Sequence, residues 1–325
     1  MPIDPIGKYI RNPMKYPYRK KMKLGILVIY LLNENYERLL DIHLDRIEKY
    51  TKMPFTIYAA TNRLLPQFLP KLKKNKNVKI CDIKTTGLRG SYEHSYYLEN
   101  LADYAIKDGA DYIVTLHLDA FPVEYDWDLK LAQKLTGNTV LAAVIRDERI
   151  DQKPMTACMF FRSDFYLKYQ PRFLVNGKDM ASTLFQKYSK CITKPYESGI
   201  GFGFKIYEKG LNWYPMLRTN KGGDHYYFSS IHDNIIFHLG SASQKEKSFP
   251  GERNISLWKR LRRKVTNKFP SSRYAGIKDK ILESPLRKFF PDVESRQKAF
   301  ENEINQLFCD TENYLHYLKT GSKQL

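Results

Sequence analysis

The chain has 325 residues, 42% of them hydrophobic and 14% aromatic, which supplies apolar material for one large domain or two modest ones and argues against wholesale disorder. Its net charge of +19 is carried mainly by two flanks, +6 over residues 1–23 and +9 over residues 251–290, leaving +4 for the rest. The longest apolar run, Leu24 to Leu32, falls well short of the roughly 20 residues that span a bilayer; Asn33-Glu34-Asn35-Tyr36-Glu37 follows it without a cleavage pattern, so neither a membrane span nor a signal peptide is expected.

Leu24 to Leu31 is a near-continuous apolar run of strand length, as a parallel strand buried on both faces requires. A helix follows, with Tyr36, Leu39, Leu40, His43 and Ile47 along one stripe, which makes His43 a packed residue. Phe55 to Ala60 and Val78 to Cys81 read as the second and third strands. Ser91 is placed to cap a helix with Leu98, Leu101, Ala102, Ala105 and Ile106 on its apolar positions, and Gly109 stands where a terminating glycine belongs. Tyr112 to Leu116 and Val140 to Ile145 read as the fourth and fifth strands. Such alternation predicts an α/β fold, a mainly parallel Rossmann-like sheet with flanking helices, over residues 24–245.

The two ends differ in kind. Residues 1–23 form a basic segment, and residues 246–325 read as a basic, helical C-terminal extension. Beyond Pro291 a helical pattern uses Phe300, Ile304, Leu307, Phe308, Leu315 and Leu318. Integral packing of this tail against the body is the competing account. Cys81, Cys158, Cys191 and Cys309 are scattered without CxxC spacing, which fits buried thiols in a reducing, cytoplasmic setting.

Candidate chemistry lies at the predicted strand ends, where open α/β sheets bind ligands. The fourth strand runs into His117-Leu118-Asp119-Ala120-Phe121-Pro122. In extended chain, His117 and Asp119 would face the same side, and an Asp there could hold a divalent cation that bridges two phosphates. A solvated loop is the competing account. Arg89, Ser91 and His94 stand at the front of a helix, a setting suited to phosphate. Asp147 and Glu148 follow the fifth strand, either in an acceptor pocket or as surface charge. Gly199, Gly201 and Gly203 have no Lys-Ser/Thr after them, so they are not a phosphate loop. His225, His232 and His238 lack the spacing of a helical metal pair or a zinc finger.

His117-Leu118-Asp119-Ala120-Phe121-Pro122, with the opening strand and the later His238-Leu239-Gly240, resembles the Asp-x-Asp signature of GT-A fold glycosyltransferases over roughly residues 24–243. The resemblance implies a nucleotide lying over the first strands, with Tyr30 and Asn33 near the base and Arg89, His94 and His117 among the donor-binding residues. It implies Mn²⁺ or Mg²⁺ held by Asp119 and His238, and an acidic base at the start of a late helix, for which Glu197 is the nearest match; Asp147, after the fifth strand, is the other catalytic candidate, facing the acceptor pocket. The departure is His117 in place of the first Asp, which supplies one negative charge fewer and leaves either weakened metal binding or metal independence open.

The expected activity is therefore transfer of a sugar from a nucleotide-sugar donor to a glycan or lipid-linked acceptor, in surface polysaccharide assembly. The basic flanks suit an anionic membrane face, which would make the protein peripheral on the inner face of a membrane. A basic, non-catalytic nucleic-acid-binding protein is the alternative; it lacks a recognisable motif, and its charge lies outside the α/β body.

Overall fold

The computed structural model describes residues 22–32, 34–145, 153–190, 192, 197–223, 228–240 and 293–322. The first half alternates β1 (Leu24–Ile29), α1 (Glu37–Tyr50), β2 (Phe55–Ala60), α2 (Leu69–Lys74), β3 (Val78–Ile80), α3 (Ser91–Lys107), β4 (Tyr112–Leu116), β5 (Ala120–Pro122), α4 (Trp127–Lys134) and β6 (Thr139–Val144). It continues through β7 (Met155–Arg162), α5 (Ser163–Tyr169), α6 (Gly177–Met180), α7 (Thr183–Ser189), α8 (Ile200–Glu208), β8 (Asn212–Met216), β9 (Ser230–His232) and β10 (Ile236–His238). Two helices close the described chain, α9 (Val293–Cys309) and α10 (Thr311–Thr320).

Among the described residues, seven strands form one sheet in the order β3-β2-β1-β4-β7-β6-β8. Only β7 runs against the others, since it pairs antiparallel with both β4 and β6. The central strands are buried on both faces, as their largely apolar sequences demand. Gly25 in β1 makes room for α3: a Cβ there would stand 2.8 Å from that of Ala105. The α1 stripe is buried as expected, His43 included.

Three sequence expectations change. Ser91 is the first residue of α3 rather than its cap; Gly90, with φ +59°, takes the cap position and no side chain caps that end. The strands β5, β7, β8, β9 and β10 were not legible as strands, and three of them form a second sheet in the order β5-β10-β9. In the described part of the tail, Phe300, Ile304, Leu307, Leu315 and Leu318 are buried in the same core as α1 and β1, so these helices pack integrally. Polar contacts reinforce this: Arg46 of α1 pairs with Glu312 at 2.7 Å, and Lys319 Nζ donates to the Val123 carbonyl at 2.7 Å.

Among the described cysteines, Cys81 and Cys158 are buried thiols, whereas Cys309 is exposed. Among the described residues no helix is long and apolar enough to cross a membrane. The basic segments, most of residues 1–23 and all of residues 251–290, lie outside the described residues, as does the boundary near residue 245.

Candidate metal centre

At the carboxyl end of β4 the chain leaves the large sheet and enters the small one. His117, Leu118 and Asp119 make that transition in a turn, with the Ala120 N–H donating to the His117 carbonyl at 2.9 Å. The two side chains meet because the chain turns, and not because it is extended. The antiparallel pairing of β5 with β10 then sets Ala120 opposite His238 and Phe121 opposite Phe237, whose rings lie 4.8 Å apart. The Leu239 N–H donates to the Asp119 carbonyl at 2.9 Å and closes the ladder beside the site.

The result is a group of three possible ligands. Asp119 Oδ1 lies 3.9 Å from His117 Nδ1 and 3.8 Å from His238 Nε2, and the ligand atoms of all three fall within 4.8 Å of one another. Two donors about 2.1 Å from a common ion stand roughly 3–3.4 Å apart, so the Asp119 pairs stand about half an ångström too wide and the set would draw inward to hold an ion. The donors differ in exposure: 34% for the His117 side chain, 17% for His238 and 9% for Asp119. The group is therefore held by the fold yet open to an ion. Two imidazoles and a carboxylate fit a divalent cation.

The surroundings orient these ligands. His117 Nε2 lies 3.3 Å from the hydroxyl of Thr156 on β7, which leaves Nδ1 toward Asp119. Thr156 is itself held through its carbonyl, which accepts from the Thr115 hydroxyl at 2.9 Å, and Thr115 Oγ1 accepts from the Met159 N–H at 3.1 Å. His94, in the first turn of α3, stands edge-on to His117 with ring centroids 5.3 Å apart. Burial lowers the pKa of His117 to about 4, opposed by the Asp119 charge, and burial together with His117 lowers that of His94 to about 3. Both rings are neutral near pH 7, the form in which imidazole binds metal.

A second layer joins α3 to the start of α8. Ser198 Oγ lies 3.1 Å from His94 Nδ1 and 2.9 Å from Ser95 Oγ, and it donates to the Ser91 carbonyl at 3.2 Å. Its neighbour Glu197 forms an ion pair with Lys153, which is buried. Gly199 has φ +99°, and a Cβ there would meet the Pro154 carbonyl oxygen at 2.5 Å, so only glycine allows this approach. Gly201 and Gly203 serve packing: their Cβ positions would fall 2.1 Å from the Arg172 carbonyl oxygen and the Tyr188 hydroxyl oxygen.

The structure thus brings together His94, His117, Asp119 and His238, with Glu197 linked to them through Ser198. It corrects the expectation for Tyr30. That side chain is fully buried, edge-on to the His43 ring with centroids 5.9 Å apart, because strand alternation turns it into the core. It cannot face a base from there. Arg89 is exposed on the loop before α3. Asn33 and Asp147 lie outside the described residues. Thr156, Thr115, Ser198 and Lys153 escaped the sequence reading, since each matters only through a partner distant in sequence.

No protein-family model matches the chain. No curated protein matches it either. Among solved structures, it is similar to the mannosyltransferase PcManGT from Pyrobaculum calidifontis, in complex with GDP-Man and Mn²⁺, at 11% identity and a TM-score of 0.34. That likeness covers 46% of this chain and 47% of the other. It is also similar to S. aureus TarS 1–349, at 14% identity and a TM-score of 0.34, over 55% of this chain and 57% of the other. The chain thus spans about half the length of each, and likeness this slight transfers no activity.

Proposed function

We propose that the chain is a GT-A type glycosyltransferase that uses a nucleotide-sugar donor and a divalent cation, Mn²⁺ or Mg²⁺. The observation that carries this reading is the convergence of His117, Asp119 and His238 at the carboxyl end of β4. The signature-like hexapeptide and the later His-Leu-Gly meet there, as their resemblance implies. Ligand sites of open α/β sheets lie at this edge.

Asp119, His117 and His238 would hold the cation, which when bound supplies positive charge against the diphosphate leaving group. Thr156 keeps the His117 ring in the orientation that presents Nδ1. Neutral His94 can donate or accept a hydrogen bond at the donor without adding charge. Glu197, anchored by Lys153 and a third exposed, is the proposed base. It takes the proton of the acceptor hydroxyl as the bond from that oxygen to the anomeric carbon forms. The bond from the anomeric carbon to the phosphate oxygen breaks, and its electron pair stays with the diphosphate.

The acceptor proposed is a glycan or lipid-linked saccharide, approached from the inner face of an anionic membrane. The support is the clustered charge of Lys15 to Lys23 and Lys259 to Lys264. A thermal-shift screen of nucleoside diphosphates and their sugars, with and without Mn²⁺, tests the reading. One diphosphate should raise the melting temperature in a metal-dependent manner. Absence of any shift across the common nucleotides would overturn it.

A further inference from the structure

His117 in the first signature position has a consequence for which ion the centre accepts. Its ligand atoms are two imidazole nitrogens and one carboxylate oxygen, the Nδ1 of His117, the Nε2 of His238 and an oxygen of Asp119. Mg²⁺ takes oxygen donors in near-ideal octahedra and gives up water reluctantly, whereas imidazole nitrogens suit first-row transition metals, with affinity rising from Mn²⁺ toward Co²⁺. The nitrogen donor is also built in. Thr156, itself buried and tied to Thr115, occupies His117 Nε2 and so leaves Nδ1 as the atom presented to Asp119.

We infer that this centre is selective for transition-metal ions and discriminates against Mg²⁺, and that His117 is the residue responsible. The inference rests on the metal-centre reading above and is independent of which donor or acceptor is used. A single carboxylate gives a weak electrostatic hold on a hard cation, while two nitrogens give a borderline-soft ion its covalent share of the binding.

The test is binding to the purified full-length chain without nucleotide, by calorimetry with Co²⁺, Mn²⁺ and Mg²⁺ and by the visible absorption of bound Co²⁺. The dissociation constant for Co²⁺ should be at least about 100-fold below that for Mg²⁺, with Mn²⁺ between them. Nitrogen-ligated Co²⁺ bands should appear on addition and vanish in His238→Ala, which assigns them to this site rather than to another histidine. His117→Asp should narrow the Co²⁺ to Mg²⁺ ratio by about tenfold or more, because it replaces nitrogen with a charged oxygen. Equal affinity for Mg²⁺ and Co²⁺, bands that survive His238→Ala, or an unchanged ratio in His117→Asp would each overturn the inference. A nucleotide-dependent shift alongside equal metal affinities would leave the transferase reading standing. Discrimination between ions without any nucleotide effect would remove that reading and keep this one.

Discussion

His238 Nε2 stands 3.8 Å from Asp119 Oδ1 because Ala120, the residue after Asp119, pairs directly with His238 across the β5–β10 ladder. Backbone hydrogen bonds therefore set the distance between two acid–base side chains that are remote in sequence. A one-residue slip in that ladder would turn His238 to the opposite face and dismantle the centre.

Asp119→Asn should lower transfer by about 100-fold or more while leaving the fold intact, because it removes a charged ligand rather than core packing. Turnover with the true donor, compared with circular dichroism and melting temperature, checks this. Near-normal turnover would remove Asp119 from the centre.

Thr156→Val removes the oxygen beside His117 Nε2 while keeping a similar shape. Metal affinity should fall by about 10- to 100-fold, the usual effect of losing an outer-shell partner, and Thr156→Ser should restore most of it. Calorimetric titration of both variants decides the matter: if Val and Ser behave alike, the hydroxyl does not orient the ring.

Glu197→Gln takes the carboxylate away from buried Lys153. Breaking such a pair from one side is expected to cost stability, on the order of 1–3 kcal/mol given the partial exposure of Glu197, and to depress turnover. Adding Lys153→Met should recover stability without recovering turnover. Urea unfolding and initial rates on the single and double variants separate the two effects. Recovery of turnover in the double variant would show that Glu197 acts only as the partner of Lys153.

Acid should destabilise the fold partly through His43. Its pKa is lowered from 6.5 to about 4, chiefly by burial; the nearby Ala120 and Leu118 carbonyls and the Asp119 charge oppose the shift, without hydrogen-bond geometry at either ring nitrogen. The unfolded chain therefore binds this proton more readily than the folded one. Its contribution to stability is complete above pH 6.5 and is lost as the pH falls toward 4. Between about pH 7.5 and about pH 5 that loss amounts to roughly 2 kcal/mol. In His43→Phe, which keeps a ring against Tyr30, denaturant midpoints at these two values should converge relative to the parent protein.

Sedimentation with anionic and neutral vesicles tests the basic flanks. The protein should pellet with anionic vesicles at low salt and less so at physiological salt, each well-placed cation contributing about 1 kcal/mol. Reversing Arg260, Arg262, Arg263 and Lys264 to Glu should release it while leaving catalysis on a soluble acceptor unchanged. If the parent protein ignores anionic vesicles at low salt, the peripheral-membrane reading fails.

Much of the α/β body could be read from the sequence, because β1, β2 and β4 are apolar runs of strand length and α1 carries an unbroken apolar stripe. These signals are local: a strand buried on both faces, or a helix buried on one, must show it in its own residues. Asp119 and His238 were likewise candidates at that level, through the resemblance of a short signature and a His-Leu-Gly. The three-residue strands β5, β9 and β10 were not, because so short an element carries no periodicity and exists only through its neighbours' hydrogen bonds. Tyr30 shows the limit from the other side: the family resemblance placed it near a base, and packing against His43 made it core. What the sequence determined by itself was therefore the strands β1, β2, β3, β4 and β6, the helices α1 and α3, the helical pattern of the tail and the candidate ligands. That His117 presents Nδ1, that Thr156 holds it there, and that Lys153 meets Glu197 were decided by tertiary structure alone, since each depends on a distance between segments that no local pattern encodes.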